Sequence, residues 1–292
     1  TIQARSGIGI SLNNRSQLKC TSTSFTSCKV SCSIFKGDTL GVYKNCVFIQ
    51  RKQSATIATD QSSVSLDGCL FNECSVEMSS TSDRLVLQNS VFNMTQNGTC
   101  LTTVQNPTLY VFNNTFNNGN IDFRGNADIK SMSNRFFCCS LAVFDSCNLV
   151  STNEKFENSA PGQEKSSAIG TQGTSQVNIT NASFTSLGGS ALVCYQDSQV
   201  TIKDTNITST GTQGLVCHSG GQLTIENITF NKTRDDSILV QNGRLIAKNV
   251  TVKYSSGNGI SINDSSSTCE LTDIKVINNT KCGIFASNAD VT

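Results

Sequence analysis

Short runs of alternating apolar and polar residues recur along the whole chain, and the alternation breaks at regular intervals. Three segments show this most clearly: QVNITNASF (176–184), QLTIENITF (222–230) and RLIAKNVTVKY (244–254). In each, two alternating apolar residues precede an Asn and two more follow it. A period of two is typical of a β-strand, and Asn tolerates the left-handed backbone of a tight bend better than most residues. The pattern therefore predicts pairs of short strands joined at an Asn.

One register places this bend at twelve positions, with intervals of 19 to 28 residues and a mean of about 23. The third residue after the bend is Phe in nine of the twelve repeats. The bends are Ser22, Asn45, Gly68, Asn89, Asn113, Asn134, Asn153, Asn181, Asp204, Asn227, Asn249 and Asp273. The nine aromatic positions are Phe25, Phe48, Phe71, Phe92, Phe116, Phe137, Phe156, Phe184 and Phe230.

A third short strand precedes each pair, as in ALVC (191–194), GLVC (214–217) and GISI (259–262). Three strands in every 23 or so residues predict an all-β fold, a single-stranded parallel β-helix of about twelve coils. We expect a right-handed solenoid, as in nearly all parallel crossovers. Residues one coil apart then superpose, so the Phe residues form an internal stack. The bend residues form an axial ladder of Asn45, Asn89, Asn113, Asn134, Asn153, Asn181, Asn227 and Asn249.

The repeat runs through residues 1–292, which predicts one continuous β-helix, either whole or a segment of a longer rod. The long interval after Asn153 predicts a protruding loop at 157–168. No capping helix is visible at either end, and uncapped coils expose apolar core and open strand edges. We therefore expect end-to-end or lateral contacts with other protein subunits or with further coils of the same protein.

The stretch GNGISINDSSSTCELTDIKVINNTKCGIF (257–285) resembles two successive NosD/CASH-type repeats of the pectin-lyase-like superfamily of right-handed parallel β-helices. FTSLGGSALVC (184–194) is also similar to the FxxN/GGA(I/L) repeats of chlamydial-type polymorphic surface proteins. The first resemblance covers nearly the whole chain. It implies the β-helix fold, while lyases, hydrolases, adhesins and scaffolds all use such repeats.

Active sites of that superfamily lie on the outward side of the first strand, which is apolar in the best-registered coils. The outward residues there are Val193, Val216, Leu239, Ser261 and Phe285. We interpret Val193, Val216, Leu239 and Phe285 as a candidate lateral contact. His218 lies at a strand end, and Asp235-Asp236 fits a polar turn. We predict a protein that is not an enzyme, with no catalytic or metal-binding residues and no cofactor.

The fourteen cysteines do not form metal-type motifs, because no pair has a matching second pair. Cys46 and Cys69 occupy one inward position in adjacent coils, and Cys194 and Cys217 occupy another. In-register side chains run parallel, which is not ideal for a disulfide. Stacked buried thiols are favoured for both pairs, and disulfides are the alternative.

Twelve Asn-x-Ser/Thr sequons occur in the chain. Four of them (Asn113, Asn181, Asn227 and Asn249) are ladder residues, which we expect to be buried and unmodified. The other eight are candidate N-glycosylation sites: Asn14, Asn93, Asn97, Asn178, Asn206, Asn231, Asn263 and Asn278.

Charged residues make up only 15% of the chain and its net charge is +1, without a basic or acidic block. This argues against nucleic acid as a partner, and no apolar run is long enough for a membrane span. A surface rich in Ser, Thr and Asn fits an extracellular or cell-surface protein, with an intracellular location as the alternative.

We therefore hypothesise a non-enzymatic structural or interaction β-helix of a secreted or cell-surface fibre, appendage or larger assembly, carrying N-glycans. One alternative is a carbohydrate-binding or polysaccharide-cleaving β-helix. A second alternative is an intracellular repeat scaffold.

Overall fold

The structure of the protein is a computed structural model that describes residues 1–3, 8–26, 32–49, 55–79, 83–158 and 167–292. These residues form a right-handed parallel β-solenoid of about eleven turns of about 23 residues, close to the predicted dozen, and no helix occurs among them. They divide into two compact units, 1–137 with 146–148, and 138–145 with 149–292. Most of the predicted loop at 157–168 lies outside the described residues. That the chain forms one continuous domain stays a prediction.

Each coil of either unit contains three strands, which we call rows A, B and C in chain order. Row A is the strand predicted to precede each pair, and the left-handed bend joins row B to row C. Every strand pairs in parallel with the strand of the same row one coil away, as in Leu85↔Leu109 and Leu109↔Ile129 of row B. In the inner coils, inward residues of all three rows are buried, while most outward residues are exposed or half-buried.

In the first unit, row A contains β2 (Ile10–Asn13), β5 (Ser33–Lys36), β8 (Ala55–Asp60) and β11 (Ser75–Met78). Row B contains β3 (Gln17–Thr21), β6 (Leu40–Lys44), β9 (Ser63–Asp67), β12 (Arg84–Gln88), β14 (Thr108–Phe112) and β16 (Asp128–Met132). Row C contains β1 (Ile2–Gln3), β4 (Ser24–Thr26), β7 (Val47–Ile49), β10 (Leu70–Asn72) and β17 (Arg135–Phe137). Two long strands run from row C into row A, β13 (Val91–Thr103) and β15 (Thr115–Phe123).

In the second unit, row A contains β18 (Ser140–Val143), β21 (Ile169–Thr171), β24 (Leu192–Tyr195), β26 (Leu215–His218), β28 (Ile238–Gln241), β30 (Ile260–Asn263) and β32 (Ile284–Ser287). Row B contains β19 (Asn148–Thr152), β22 (Gln176–Thr180) and β33 (Asp290–Val291), and row C contains β20 (Lys155–Glu157) and β23 (Ser183–Leu187). Four strands run from row B through the bend into row C: β25 (Gln199–Thr210), β27 (Gln222–Thr233), β29 (Arg244–Lys253) and β31 (Thr268–Ile277).

The predicted Phe stack forms the centre of both units. In the first unit, Phe48 and Phe71 are parallel with ring centroids 4.8 Å apart, and Phe71 and Phe92 are 4.3 Å apart. In the second unit, Phe156 and Phe184 stack at 4.8 Å. Such pairs stabilise the fold by about 0.5–1.5 kcal/mol beyond the burial of their area. The rings stack because equal positions stay in register from coil to coil.

The stack is completed at one position by Phe136 and not by the predicted Phe137. Phe136 pairs with Phe116 and stacks on it at 5.3 Å, whereas Phe137 lies outward opposite Asn117. The bend of this coil is correspondingly at Ser133, whose φ is 58°, and not at the predicted Asn134. The reason lies inside the coil, where Asn134 is 1% exposed and hydrogen-bonded to backbone and side-chain atoms.

The other eleven predicted bends have the expected left-handed backbone, with φ between 50° and 63°. Their side chains form the predicted ladder in places, as where Asn113 Nδ2 donates to Asn89 Oδ1 (2.9 Å) and Asn249 Nδ2 donates to Asn227 Oδ1 (2.8 Å). The ladder is exposed to solvent, however, so the expectation that Asn113, Asn181, Asn227 and Asn249 are buried is wrong. The bend residue lies between an outward residue and an inward one, and its left-handed backbone turns its own side chain outward.

Candidate functional site

The outward side of row A in the first unit is polar over three successive coils. In-register pairing places Ala58 beside Glu77, Glu77 beside Thr102, and Thr102 beside Asp122. Glu77, Thr102 and Asp122 are half-buried, and the residues on either side of each point inward into the core. Two carboxylates therefore face solvent on the same line, separated by one coil that carries a short hydroxyl side chain.

Strand alternation explains why these three side chains share one direction. Val76 and Met78 flank Glu77 and are fully buried, and Ile121 and Phe123 flank Asp122 and are 2% exposed. Coils lie about 4.8 Å apart, so the backbones of Glu77 and Asp122 are about 10 Å apart along the coil axis. Side-chain rotation lets the two carboxyl groups approach a ligand between them.

Asp122 has an electrostatic environment suited to holding a proton. Burial raises the pKa of its carboxyl above the usual value, and the nearby charge of Arg124 partly opposes this rise. Arg124 is fixed at its backbone, where its N–H donates to Thr103 Oγ1 (2.8 Å) and the Thr103 hydroxyl donates to the Arg124 carbonyl (3.1 Å). The guanidinium group itself is exposed at the end of the strand. A carboxyl of raised pKa beside a second carboxylate is typical of acid–base chemistry.

Sequence reasoning missed Glu77 and Asp122 because it examined the outward line only in the C-terminal coils. The structure confirms that Val193, Val216, Leu239, Ser261 and Phe285 form one outward line in the second unit. Phe285 is 41% exposed, while Val216 is 8% exposed. Whether a partner subunit covers this line stays a prediction. Counting the same register back through SVEM (75–78) and NIDF (120–123) would have found the two carboxylates.

The polar residues that the sequence singled out contribute to the fold of the second unit. His218 follows Tyr195 in register, their ring centroids lie 3.8 Å apart, and burial lowers the pKa of the imidazole. Asp235 accepts a hydrogen bond from Gln213 Nε2 (2.9 Å), and Asp236 accepts one from the Asn258 backbone N–H (2.6 Å). Both carboxylates thus tie neighbouring coils together, as expected of a structural turn.

The cysteines at equivalent positions are buried thiols, the favoured of the two alternatives. Cys46, Cys69, Cys194 and Cys217 are unbridged and at most 2% exposed. The Cys194 and Cys217 backbones pair in register. A hydrogen bond with Cys194, together with burial, raises the pKa of the Cys217 thiol, so it stays protonated. Within the described residues, no group of three or more His, Cys, Asp or Glu side chains could hold a metal ion.

The candidate glycosylation sites differ in accessibility. Asn14, Asn178, Asn206 and Asn278 are exposed, whereas Asn231 and Asn263 are half-buried. Asn93 is part of a second ladder, where its Nδ2 donates to Asn72 Oδ1 (2.9 Å). The side chain of Asn97 lies outside the described residues.

Fold and site together define a parallel β-helix protein with an acidic pair on the outward face of row A. The right handed beta helix region family matches residues 143–291, slightly more than half of the chain. The chain belongs to this family. No curated protein matches it.

Several solved structures are similar in fold. The periplasmic alginate epimerase AlgG, as a mutant, is 9% identical with a TM-score of 0.54, over 92% of this chain and 65% of that one. The catalytic domain of a GH87 alpha-1,3-glucanase variant in complex with nigerose is 12% identical with a TM-score of 0.45, over 94% of this chain and 63% of that one. An alginate lyase from Paenibacillus sp. str. FPU-7 is 7% identical with a TM-score of 0.35, over 96% of this chain and 99% of that one. This chain spans less than two thirds of the first two.

The hypothesis of a non-enzymatic structural rod is contradicted by the likeness to the alginate epimerase, which is an enzyme. That protein agrees better with the alternative of a carbohydrate-binding or polysaccharide-cleaving β-helix than with the prediction that the chain is no enzyme. At 7–12% identity the likeness shows the fold alone. The activity must therefore be argued from the residues of this chain. The described residues contain no helix that could cross a membrane.

Proposed function

We propose that this protein is a secreted carbohydrate-active β-helix that binds a polysaccharide across row A of the first unit and cleaves a glycosidic bond there. The observation that carries the proposal is the in-register line Glu77–Thr102–Asp122, which places two outward carboxyl groups on either side of one hydroxyl residue. A pair of carboxyl groups flanking the scissile bond is the usual requirement for glycoside hydrolysis. The polysaccharide activity of the structural neighbours is compatible with it.

Asp122 is the proposed general acid, because burial raises the pKa of its carboxyl and so favours the protonated form that can donate to the leaving oxygen. Glu77 is the proposed general base that activates water from the opposite side. The backbone separation of two coils, about 10 Å, favours an inverting mechanism, in which the carboxyl groups are about 6.5–9.5 Å apart and water fits between them. Thr102 leaves this space open because its side chain is short.

The test is turnover of a panel of neutral and uronate polysaccharides, followed by the release of reducing ends. Glu77→Gln and Asp122→Asn should each lower kcat at least about 100-fold, the usual contribution of a general acid or base. Asp38→Asn is the matched control, because Asp38 is exposed on a bend of the same unit and Asn suits its φ of 50°. NMR of the first product should show inverted anomeric configuration.

Two results would overturn the proposal. One is turnover that survives both substitutions, since the two carboxyl groups would then not carry the reaction. The other is an equal loss in Asp38→Asn, since that would indicate a general effect of removing charge. Thermal unfolding of each variant separates loss of activity from loss of fold.

A further inference from the structure

Row B of the first unit presents a second cluster of side chains, on a different row from the acidic pair. Val86, Tyr110 and Lys130 lie in register on three successive coils, and Gln88, Phe112 and Met132 form the neighbouring line. Met132 is 44% exposed, and Tyr110 and Phe112 are half-buried. The two aromatic rings lie side by side with centroids 6.1 Å apart and planes tilted by 50°.

Two cations are held over the Tyr110 ring. The guanidinium carbon of Arg84 lies 5.2 Å from the ring centroid, and Lys130 Nζ lies 5.7 Å from it. Cation–π contact of this kind restrains long, flexible side chains that would otherwise move freely in solvent. Arg84 and Lys130 belong to coils on either side of Tyr110, so their backbones are about 10 Å apart along the coil axis.

Within the described residues, neither cation has a carboxylate at ion-pair distance. Arg84 and Lys130 are both exposed. The carboxylate of Asp128, in the same cluster, accepts a hydrogen bond from Asn148 Nδ2 (3.0 Å). By contrast, the charges on row B of the second unit are paired, as where Lys203 Nζ lies 2.9 Å from Glu226. The two cations outnumber the one carboxylate of Asp128 in this cluster, so the cluster keeps a net positive charge that favours an anionic ligand.

We propose that the row B cluster of Arg84, Tyr110, Phe112, Lys130 and Met132 binds an acidic polysaccharide lying along the coil axis. Anionic groups on separate sugars pair with Arg84 and Lys130, and the apolar faces of the sugar rings contact Phe112 and Met132. A repeating polymer fits because its charges recur along the chain as the two cations do. Nucleic acid fits less well, since it needs more basic contacts than two to bind at physiological salt. The site is non-catalytic and does not depend on the reaction proposed for row A.

The test is affinity electrophoresis of the whole protein in gels containing polygalacturonate, with dextran as the neutral polymer. We expect retardation by polygalacturonate that weakens as NaCl is raised, and no retardation by dextran. Arg84→Gln and Lys130→Gln should each raise the apparent Kd about tenfold, as for loss of one charge-assisted contact. Lys19→Gln is the matched control, because Lys19 is an exposed outward lysine of the same row.

Four results would overturn the proposal: equal retardation by dextran, an equal loss in Lys19→Gln, tighter binding of single-stranded DNA than of polygalacturonate, or binding to phosphatidylglycerol vesicles alone. Tyr110→Leu is a second variant that releases both cations and keeps their charge. It should weaken binding while leaving the thermal unfolding midpoint within a few degrees. Because the assay needs no turnover, Asp122→Asn should bind normally, so failure of the proposed reaction leaves this result interpretable.

Discussion

Asn114 lies one coil from Asn134 inside the first unit, and Asn114 Nδ2 donates to Asn134 Oδ1 at 3.0 Å. Asn114 also donates to the Leu87 carbonyl (3.0 Å) and accepts from the Ser90 backbone N–H (2.9 Å). These bonds satisfy polar groups of three coils in a buried environment. A buried group left without its partner destabilises a protein by about 1–3 kcal/mol.

Asn114→Ala should therefore lower the free energy of unfolding by about 2–4 kcal/mol, since it leaves buried polar atoms of Leu87, Ser90 and Asn134 without this partner. The matched control is Asn113→Gly, which removes only an exposed ladder side chain and suits the left-handed backbone. That control should change stability by roughly 1 kcal/mol or less. Urea unfolding followed by circular dichroism compares the two. Similar losses of unfolding free energy in the two variants would show that the buried hydrogen bonds of Asn114 stabilise the protein no more than the exposed bond of Asn113.

Phe136 and Phe137 offer a direct check of the register of their coil. Phe136→Ala removes a ring that is 2% exposed and stacked on Phe116, so it should cost about 3–5 kcal/mol. Phe137→Ala removes an outward, half-buried ring and should cost roughly 1 kcal/mol or less. The reverse order of the two losses in chemical denaturation would place Phe137 in the core and contradict the structure.

The contribution of Asp122 to the free energy of unfolding should fall as pH rises. Because its folded-state pKa is raised, the folded chain holds this proton more tightly than the unfolded chain. Its contribution to stability is complete below the unfolded pKa of about 3.9 and declines as pH rises through the folded pKa. Asp122→Asn should thus be more stable than wild type at pH 7 and indistinguishable at pH 3.

The expected gain at pH 7 is a fraction of a kcal/mol, because the carboxyl is half-buried and solvent screens it. Urea titrations of both proteins at the two pH values measure it. A difference that is the same at pH 3 and pH 7 would mean that ionisation of Asp122 is not the cause. Arg124→Gln should enlarge the pH effect, since it removes the opposing charge.

Glycan attachment should follow the exposure of the sequons. Asn178 and Asn206 are exposed on outward strand positions and are expected to be modified on secretion from a eukaryotic host. Asn93 should stay unmodified, because its amide nitrogen is bonded to Asn72 in a half-buried ladder. Peptide mass spectrometry after enzymatic deglycosylation reads each site. Full occupancy of Asn93 with empty Asn206 would refute this ranking.

The fold was predictable because its determinants repeat. A left-handed residue every 23 or so positions and a Phe three residues later both follow from the superposition of coils, and eleven of the twelve bends are confirmed. The exception is SNRFF (133–137), in which Phe136 follows Ser133 by three residues and Phe137 follows Asn134 by three residues. The local pattern fits both registers and could not choose between them. The interior bonds of Asn134 decide it, and they depend on Asn114 in the preceding coil.

The candidate site was less predictable, because its residues lie at outward positions, where the residue type differs from coil to coil. Only the inward and bend positions repeat the same residue types. Glu77 and Asp122 lie more than forty residues apart in sequence and become neighbours on one line only when three coils are aligned. The raised pKa of Asp122 reflects burial, which no spacing rule gives. The solvent-facing direction of the Asn ladder was also missed, since position in a bend does not by itself fix the direction of a side chain.

The pairing of Thr205 with Ile228 means that residues 205–227 form one complete turn of the chain. Excising that segment would join Asp204 to Ile228, and only the strands at the junction would meet a new neighbour, each of the same row. Removing a single residue instead would swap the inner and outer sides of the strand that follows. This architecture can therefore be shortened or lengthened by gene duplication in whole turns, and a ligand surface can grow by one sugar-sized step at a time while the remaining turns keep their structure.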